Sequence, residues 1–274
     1  LGADAVGGTV ARGGALDGGA DAVKAKDKAA LGVLAKFTGK SYVIVLEGSD
    51  VPAQGGFSTL SIAMAATGKA KVSGVLADGT KVTATAQMTV GDAYCCVPVI
   101  CSKKSKFGFV AWFDRDTRQL AEVTALTPWR NTVKPAFTMD WAVAAAGAKG
   151  SVAAGTRRAG LDGVRLSAFV PGAIGQTPFE IPLTVKGTKW DAGKAAKVTY
   201  KGGSVSIAGG ANVSGLKLAY TAKTGTFKGS FTVYSVKGGK LAKTKFTVNG
   251  AVTDGVGYGT AFNKKAGSVA LVVE

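Results

Sequence analysis

Two carboxylates sit directly after two aromatic residues in the run Trp112-Phe113-Asp114-Arg115-Asp116. Paired carboxylates beside aromatic rings can hydrolyse glycosides, one as general acid and the other as nucleophile or base. At i and i+2, however, Asp114 and Asp116 are too close and too local to flank a scissile bond. With Arg115 between them they read as a solvated turn held by local ion pairs. A catalytic pair would have to come from distant segments, such as Asp140 and Glu180. A Ca²⁺ loop would need more oxygens at fixed spacing than one Asp-x-Asp supplies. The chain contains no His in 274 residues. That removes histidine bases, histidine metal ligands and every Ser-His or Cys-His nucleophile pair. No GxSxG or SxxK motif stands at a strand-to-helix turn. The sequence therefore predicts a chain that is not an enzyme and carries no cofactor.

The three cysteines, Cys95, Cys96 and Cys101, form no CxxC, and without His they do not build a zinc site. Cys96 and Cys101 flank Val97-Pro98-Val99-Ile100 and are the candidate disulfide. The alternative is a set of buried thiols in an apolar strand pair.

Candidate binding residues fall into two groups. Trp112, Trp129, Trp141 and Trp190, with Tyr42 and Tyr94, could form a platform on which sugar rings stack, although aromatic residues of a β module more commonly fill its core. Arg157, Arg158 and Arg165 could hold an anionic glycan or phosphate; the competing reading is a basic, protease-accessible loop. Glycan or anion contact is thus assigned to Arg157, Arg158, Arg165, Trp112, Trp129 and Trp190.

The net charge is +17, and it is uneven. After Leu183 there are fourteen Lys and three acids, Asp191, Asp254 and Glu274, for a net +11. The last Arg is Arg165. Base-edge reading and bidentate phosphate clamping lean on Arg, so specific nucleic-acid binding is not expected. A Lys surface fits solubility, protection of strand edges or a diffuse anionic partner.

These residues need elements to hold them. Residues 1–36 form a Gly/Ala-rich segment, with a short helix expected from Asp21 as N-cap to Ala35 and a stripe of Val23, Ala30, Leu31 and Leu34. Residues 37–130 alternate with period two in short strands, separated by turns such as Asp78-Gly79, and form a first β module. Residues 131–182 read as an irregular connector with one or two strands, Val164 to Val170 among them. From residue 183 to 274 the alternation returns as a second β module. The fold class is all-β: two related antiparallel barrel- or sandwich-like modules. No apolar run is long enough for a membrane-spanning helix.

The halves resemble each other. Leu60-Ser-Ile-Ala-Met64 with Thr67-Gly68 matches Leu216-Lys-Leu-Ala-Tyr220 with Thr224-Gly225, and Phe107 to Phe113 matches Val256 to Phe262, at an offset of about 150 residues, beyond short-period solenoids. In Asp254-Gly-Val-Gly-Tyr-Gly-Thr-Ala261, Gly255, Gly257 and Gly259 fall on one strand face, where an aromatic ring can approach closely. Tyr258 and Phe262 then become expected core residues.

The runs Lys189 to Tyr200, Gly215 to Phe231, Asp254 to Ala261 and Lys264 to Val269 resemble β-rich repeat modules of large, uncharacterised bacterial secreted or surface proteins. The resemblance implies an extracellular or cell-surface location, a modular parent chain and no catalytic residues. The start at Leu1 and the end on Ser268 to Glu274 fit an excised piece. The expected function is a non-catalytic structural or adhesive module whose partners are other modules or copies of the parent, joined by strand addition. The alternative is a binding module for acidic polysaccharide.

Overall fold

A computed structural model describes residues 7–12, 15–21, 28–48, 56–102, 105–131, 137–139, 141–150, 156–161, 170–174, 179–186 and 188–274. The protein is all-β, with one short helix among the described residues. In chain order the elements are β1 (Gly7–Arg12), β2 (Ala15–Asp21), α1 (Lys28–Ala35), β3 (Ser41–Gly48), β4 (Phe57–Met64), β5 (Lys69–Val75), β6 (Lys81–Gln87), β7 (Thr89–Val90), β8 (Tyr94–Ser102), β9 (Ser105–Asp114), β10 (Leu120–Asn131), β11 (Phe137–Met139) and β12 (Trp141–Ala148). The second half continues with β13 (Thr156–Leu161), β14 (Phe179–Lys186), β15 (Lys189–Asp191), β16 (Lys197–Lys201), β17 (Ser204–Ala208), β18 (Lys217–Thr221), β19 (Thr226–Lys237), β20 (Lys240–Thr253), β21 (Val256–Asn263) and β22 (Gly267–Val273).

The chain divides into two compact units. Leu1–Leu46, Leu60–Gly74 and Thr80–Ala148 make the first; Glu47–Thr59, Val75–Gly79 and Lys149–Glu274 make the second. In the first unit, β7 to β11 form a five-stranded meander in sequence order. Strands β3 to β6 form the other five-stranded sheet, with β12 beside β3. Alternation sends Cys95, Val97 and Val99 of β8 inward with Phe109 and Phe113 of β9, all buried. Phe113 meets Phe37 and Tyr42 edge-on at centroid distances of 5.9 and 4.6 Å. Helix α1 is shorter than expected. Asp21 ends β2, and the buried stripe of α1 is Ala30, Val33 and Leu34, one side of two helical turns.

The second unit is a closed barrel in the order β13-β14-β15-β18-β19-β20-β21-β22, and every neighbouring pair, including β22 with β13, is antiparallel. It is an up-and-down meander with one excursion between β15 and β18 that carries the two-stranded β16–β17 hairpin. Residues 131–182, expected as an irregular connector, supply β11, β12 and β13 and the first strand-forming residues of β14; the short alternations there were hidden by Ala and Gly. The expected strand from Val164 lies outside the described residues up to Val170.

The barrel interior is filled. Trp190 stacks on Tyr220 at 5.8 Å and tilts against Phe227 at 5.2 Å, and Phe231 stacks on Phe246 at 5.2 Å. Each such ring contributes about 1.5–3 kcal/mol by leaving water. Gly250, Gly257 and Gly259 surround Phe227: a Cβ on Gly250 would collide with its ring, and one on Gly259 would lie 2.9 Å from its Cζ. The glycine face thus makes room for one aromatic ring. Gly255 is not part of it, since it lies in the β20–β21 turn at φ +77°. Tyr258 and Phe262, expected in the core, alternate with these glycines and therefore lie on the outer wall, half-buried. There Phe57 packs edge-on against Tyr258 at 5.4 Å, and the Thr260 hydroxyl donates to the Phe57 carbonyl at 2.8 Å.

Candidate functional site

A pocket of about 770 Å³ opens on the outer wall of the barrel, between strands β14 to β20 and the excursion from Ala192 to Leu216. Strand register builds it. Lys186 pairs with Lys189, Lys189 with Ala219, Ala219 with Lys228 and Lys228 with Asn249, one row across five strands. A second row pairs Lys217 with Ser230 and Ser230 with Thr247. Leu218 and Phe227 point into the core, so their neighbours Lys217, Ala219 and Lys228 must point out. The small side chains of Ala219 and Ser230 leave the depression, and the four lysines rim it.

The groove is electrostatically one-sided. Its single carboxylate is Asp191, whose Oδ2 accepts a hydrogen bond from Lys186 Nζ at 2.8 Å. That bond, with help from the Gly193 N–H, holds the Asp191 carboxyl below its usual range, and the same bond raises the Lys186 ammonium. Both groups are well exposed, so the pair adds little stability. With Asp191 engaged by Lys186, three ammonium groups, on Lys189, Lys217 and Lys228, give the groove a net positive charge.

The far wall is held by Asn212, which is buried. Its Nδ2 donates to the Leu216 carbonyl at 3.0 Å and its Oδ1 accepts from the Leu216 N–H at 2.9 Å. Its backbone N–H reaches the Lys194 carbonyl, and its own carbonyl accepts from Ala196. One residue thus ties both ends of the excursion, its side chain holding Leu216 and its backbone holding Lys194 and Ala196. Trp190, which lines the groove, has a buried Nε1–H with no acceptor among the described residues.

Of the residues expected to bind glycan or anion, Trp112 and Trp190 are buried in their own units and Arg158 is in an ion pair. Trp112 is 3% exposed and its Nε1–H donates to Thr124 Oγ1 at 3.2 Å, so its ring is packing material beside Cys96 and Val110. Trp190 is 4% exposed and its ring is stacked inside the barrel. Trp129 pairs with Met139 through the backbone of β10 and β11. Arg157 pairs with Leu183 in β13–β14, and Arg158 is engaged by Glu180 at 3.4 Å. Arg165 and Asp140 lie outside the described residues, and Glu180 is an exposed ion-pair partner of Arg158.

The disulfide is overturned. Cys96 and Cys101 lie on the same extended strand, about 16 Å apart at ~3.3 Å per residue, whereas a disulfide needs Cα atoms within about 7 Å. Cys95, Cys96 and Cys101 are free and buried. Burial pushes the Cys95 and Cys101 thiols up to about 11 and raises Cys96 as well. The run around Asp114 is a turn: Asp114 Oδ1 accepts from the backbone N–H groups of Asp116 and Thr117 and from the Thr117 hydroxyl. These bonds hold its carboxyl below the usual range.

Sequence reasoning missed the groove lysines and Asn212. It left the C-terminal lysines between solubility, edge protection and a diffuse anionic partner, without placing any of them in a site. Lys228 stands mid-wall, paired with Ala219 on one side and Asn249 on the other, whereas Lys217 pairs with Ser230 alone and Lys243 and Lys245 pair with β19 beyond the stretch of β20 that meets β21. The signal was there in the alternation of Lys217 with Leu218 and of Lys228 with Phe227, but it needed the register to align those lysines across strands. No family model matches the chain, and no curated protein is significantly similar to it.

Proposed function

We propose that this chain is a non-catalytic structural and adhesive module of a bacterial extracellular or cell-surface protein. The observation that carries the reading is the barrel itself: its interior is occupied by Trp190, Phe227, Phe231 and Phe246, so any partner must be met on the outside. That outer wall carries lysines in mid-strand, opposite in polarity to the apolar band that a membrane barrel presents to lipid. Among the described residues no helix is long and apolar enough to cross a membrane. A rigid, self-filled barrel with a cationic exterior suits a spacer that holds surfaces together.

Joining to other modules or copies by strand addition needs an unpaired edge. The last strand, β22, is paired on both sides and offers none. Strand β17 is exposed along its whole length and ends its two-stranded sheet, so it is the available edge in the second unit. Brief trypsin treatment of intact source cells tests the location. Release of peptides cut at Lys197, Lys201 or Lys223 is expected. Full protection under conditions that digest a known surface protein would overturn the reading.

A further inference from the structure

We propose that the outer-wall groove is a binding site for an acidic polysaccharide, a glycan chain bearing carboxylate or sulfate groups. This rests on the adhesive reading and names the partner of that module. Three observations carry it. First, the space is right: at about 770 Å³ the groove falls within the roughly 300–1,000 Å³ of pockets that enclose small organic groups, and it is open along one side as a polymer requires. Second, the charges are arranged in a line. Lys186, Lys189 and Lys228 belong to one cross-strand row, and with strands about 4.8 Å apart Lys189 and Lys228 stand about 10 Å from each other. Ammonium groups set in a row across the strands suit a polymer that carries repeated anions. Third, neutral hydrogen-bonding side chains lie among the cations: Ser230, Thr247 and Asn249 stand on the same outer face of β19 and β20. Sugar hydroxyls can use these groups.

The same features speak against a nucleic acid. No Arg lines the groove to fork onto a phosphate or a guanine edge, and its one aromatic residue, Trp190, is stacked inside the barrel where no base can lie on it. The lysines are compact, hydrated point charges, which suit carboxylates and sulfates presented along a flexible chain.

The experiment uses the full chain, with polygalacturonate and dextran sulfate as probes, uncharged dextran as the control and single-stranded DNA as the competing polyanion. Binding is measured by calorimetry at low salt and again at higher salt. The double variant K217Q/K228Q is compared with K264Q/K265Q, which removes the same charge from the exposed β21–β22 turn. Expected is binding of at least one acidic polysaccharide, weakened by salt. The groove variant should lose about tenfold in affinity, the scale of two exposed charge pairs, and the turn variant less than about twofold. Equal losses from the two variants would mean net charge and no site, and would overturn the proposal. Tighter binding of DNA than of either glycan would overturn the assignment of the partner. Retention of neither acidic glycan at low salt would end the proposal while leaving the surface location, tested by proteolysis, untouched. Circular dichroism of both variants confirms that the barrel persists.

Discussion

The two units are both antiparallel meanders, and they handle their strand edges in opposite ways. The second closes β22 onto β13 and has no barrel edge, yet it displays Lys186, Lys217, Lys228, Lys243 and Lys245 on its outer wall. In the first, β12 and β6 end one hydrogen-bonded order, and between them they carry a single charged residue, Lys81. Lys228, paired on both sides, guards no edge. The outer faces differ as well. On β8 to β10 the face turned away from the core holds Cys96, Val110 and Trp112 in a small apolar cluster, next to Ile100 at 62% exposure and Leu126 at 48%. The barrel wall is cationic where this face is apolar. The contrast teaches that the two units give their outer faces different character, cationic on the barrel and apolar on β8 to β10.

The largest expected effect tests closure. Phe227→Ala removes the ring that Gly250, Gly257 and Gly259 surround, and the glycines have no side chains with which to fill the space. A loss of about 3–5 kcal/mol is expected by denaturant unfolding. Gly250→Ala, which sets a methyl group against that ring, should cost about 1–3 kcal/mol. A change under about 1 kcal/mol in both would mean that the barrel packs loosely and that the contrast in closure is unimportant.

Next is a difference in alkaline stability. All three cysteines are in the first unit, with thiols raised to about 11 at Cys95 and Cys101, and burial also pushes the Tyr42 phenol up to about 12. The folded first unit keeps these protons while the unfolded chain releases them, from near pH 9 for thiols. Stability of this unit is therefore intact below that value and falls as pH rises from about 9 to 11. The second unit has no thiol. Hydrogen exchange should show β8 and β9 losing protection before β19 to β21 as pH is raised through this window. The opposite order would contradict the assignment. At neutral pH the native thiols should react with a thiol reagent far more slowly than in denaturant.

A smaller effect concerns the groove wall. Asn212→Ala leaves the buried N–H and C=O of Leu216 without their side-chain partner, at about 1–3 kcal/mol. Because the excursion then loses its clamp, glycan affinity should fall in the same variant. Asn212→Asp can still accept from Leu216 N–H but cannot donate to its carbonyl, and it should recover only part of the stability.

How much of this was legible in the sequence follows from what period two can say. Alternation marked β3, β8, β9 and, in the barrel, β14 and β18 to β22, and the all-β class with them, but not β13 or β15. It also put Gly257 and Gly259 together on one strand face. It could not choose the partners. Tyr258 and Phe262 were placed in the core because their alternation with glycine was visible, but which side faced inward was decided by Phe227, thirty-odd residues earlier in the chain. Residues 137–161 passed for connector because Trp141 to Ala148 is mostly Ala and Gly, which carry little strand signal. The candidate site was missed for the same reason as the partners. Trp and Arg were chosen by residue type, whereas the groove is made by lysines from four strands that only the pairing brings into line.

The smallest expected free energies belong to the two outer faces, and they isolate the comparison from folding. Ile100→Lys on β8 and Lys228→Ile on β19 exchange the characters of the two walls at positions where the side chain points to water. Each should change stability by no more than about 0.5 kcal/mol, because neither site fills the core. Their effects on binding should separate. Ile100→Lys adds a cation to the first unit and should leave affinity for acidic glycan unchanged, since a charge away from the groove row has no neighbouring cation with which to share a polymer. Lys228→Ile removes one cation of that row and should weaken binding several-fold despite an equal and opposite change in net charge. If instead Ile100→Lys strengthens binding by as much as Lys228→Ile weakens it, affinity tracks total charge, and the difference between the two faces is one of solubility alone.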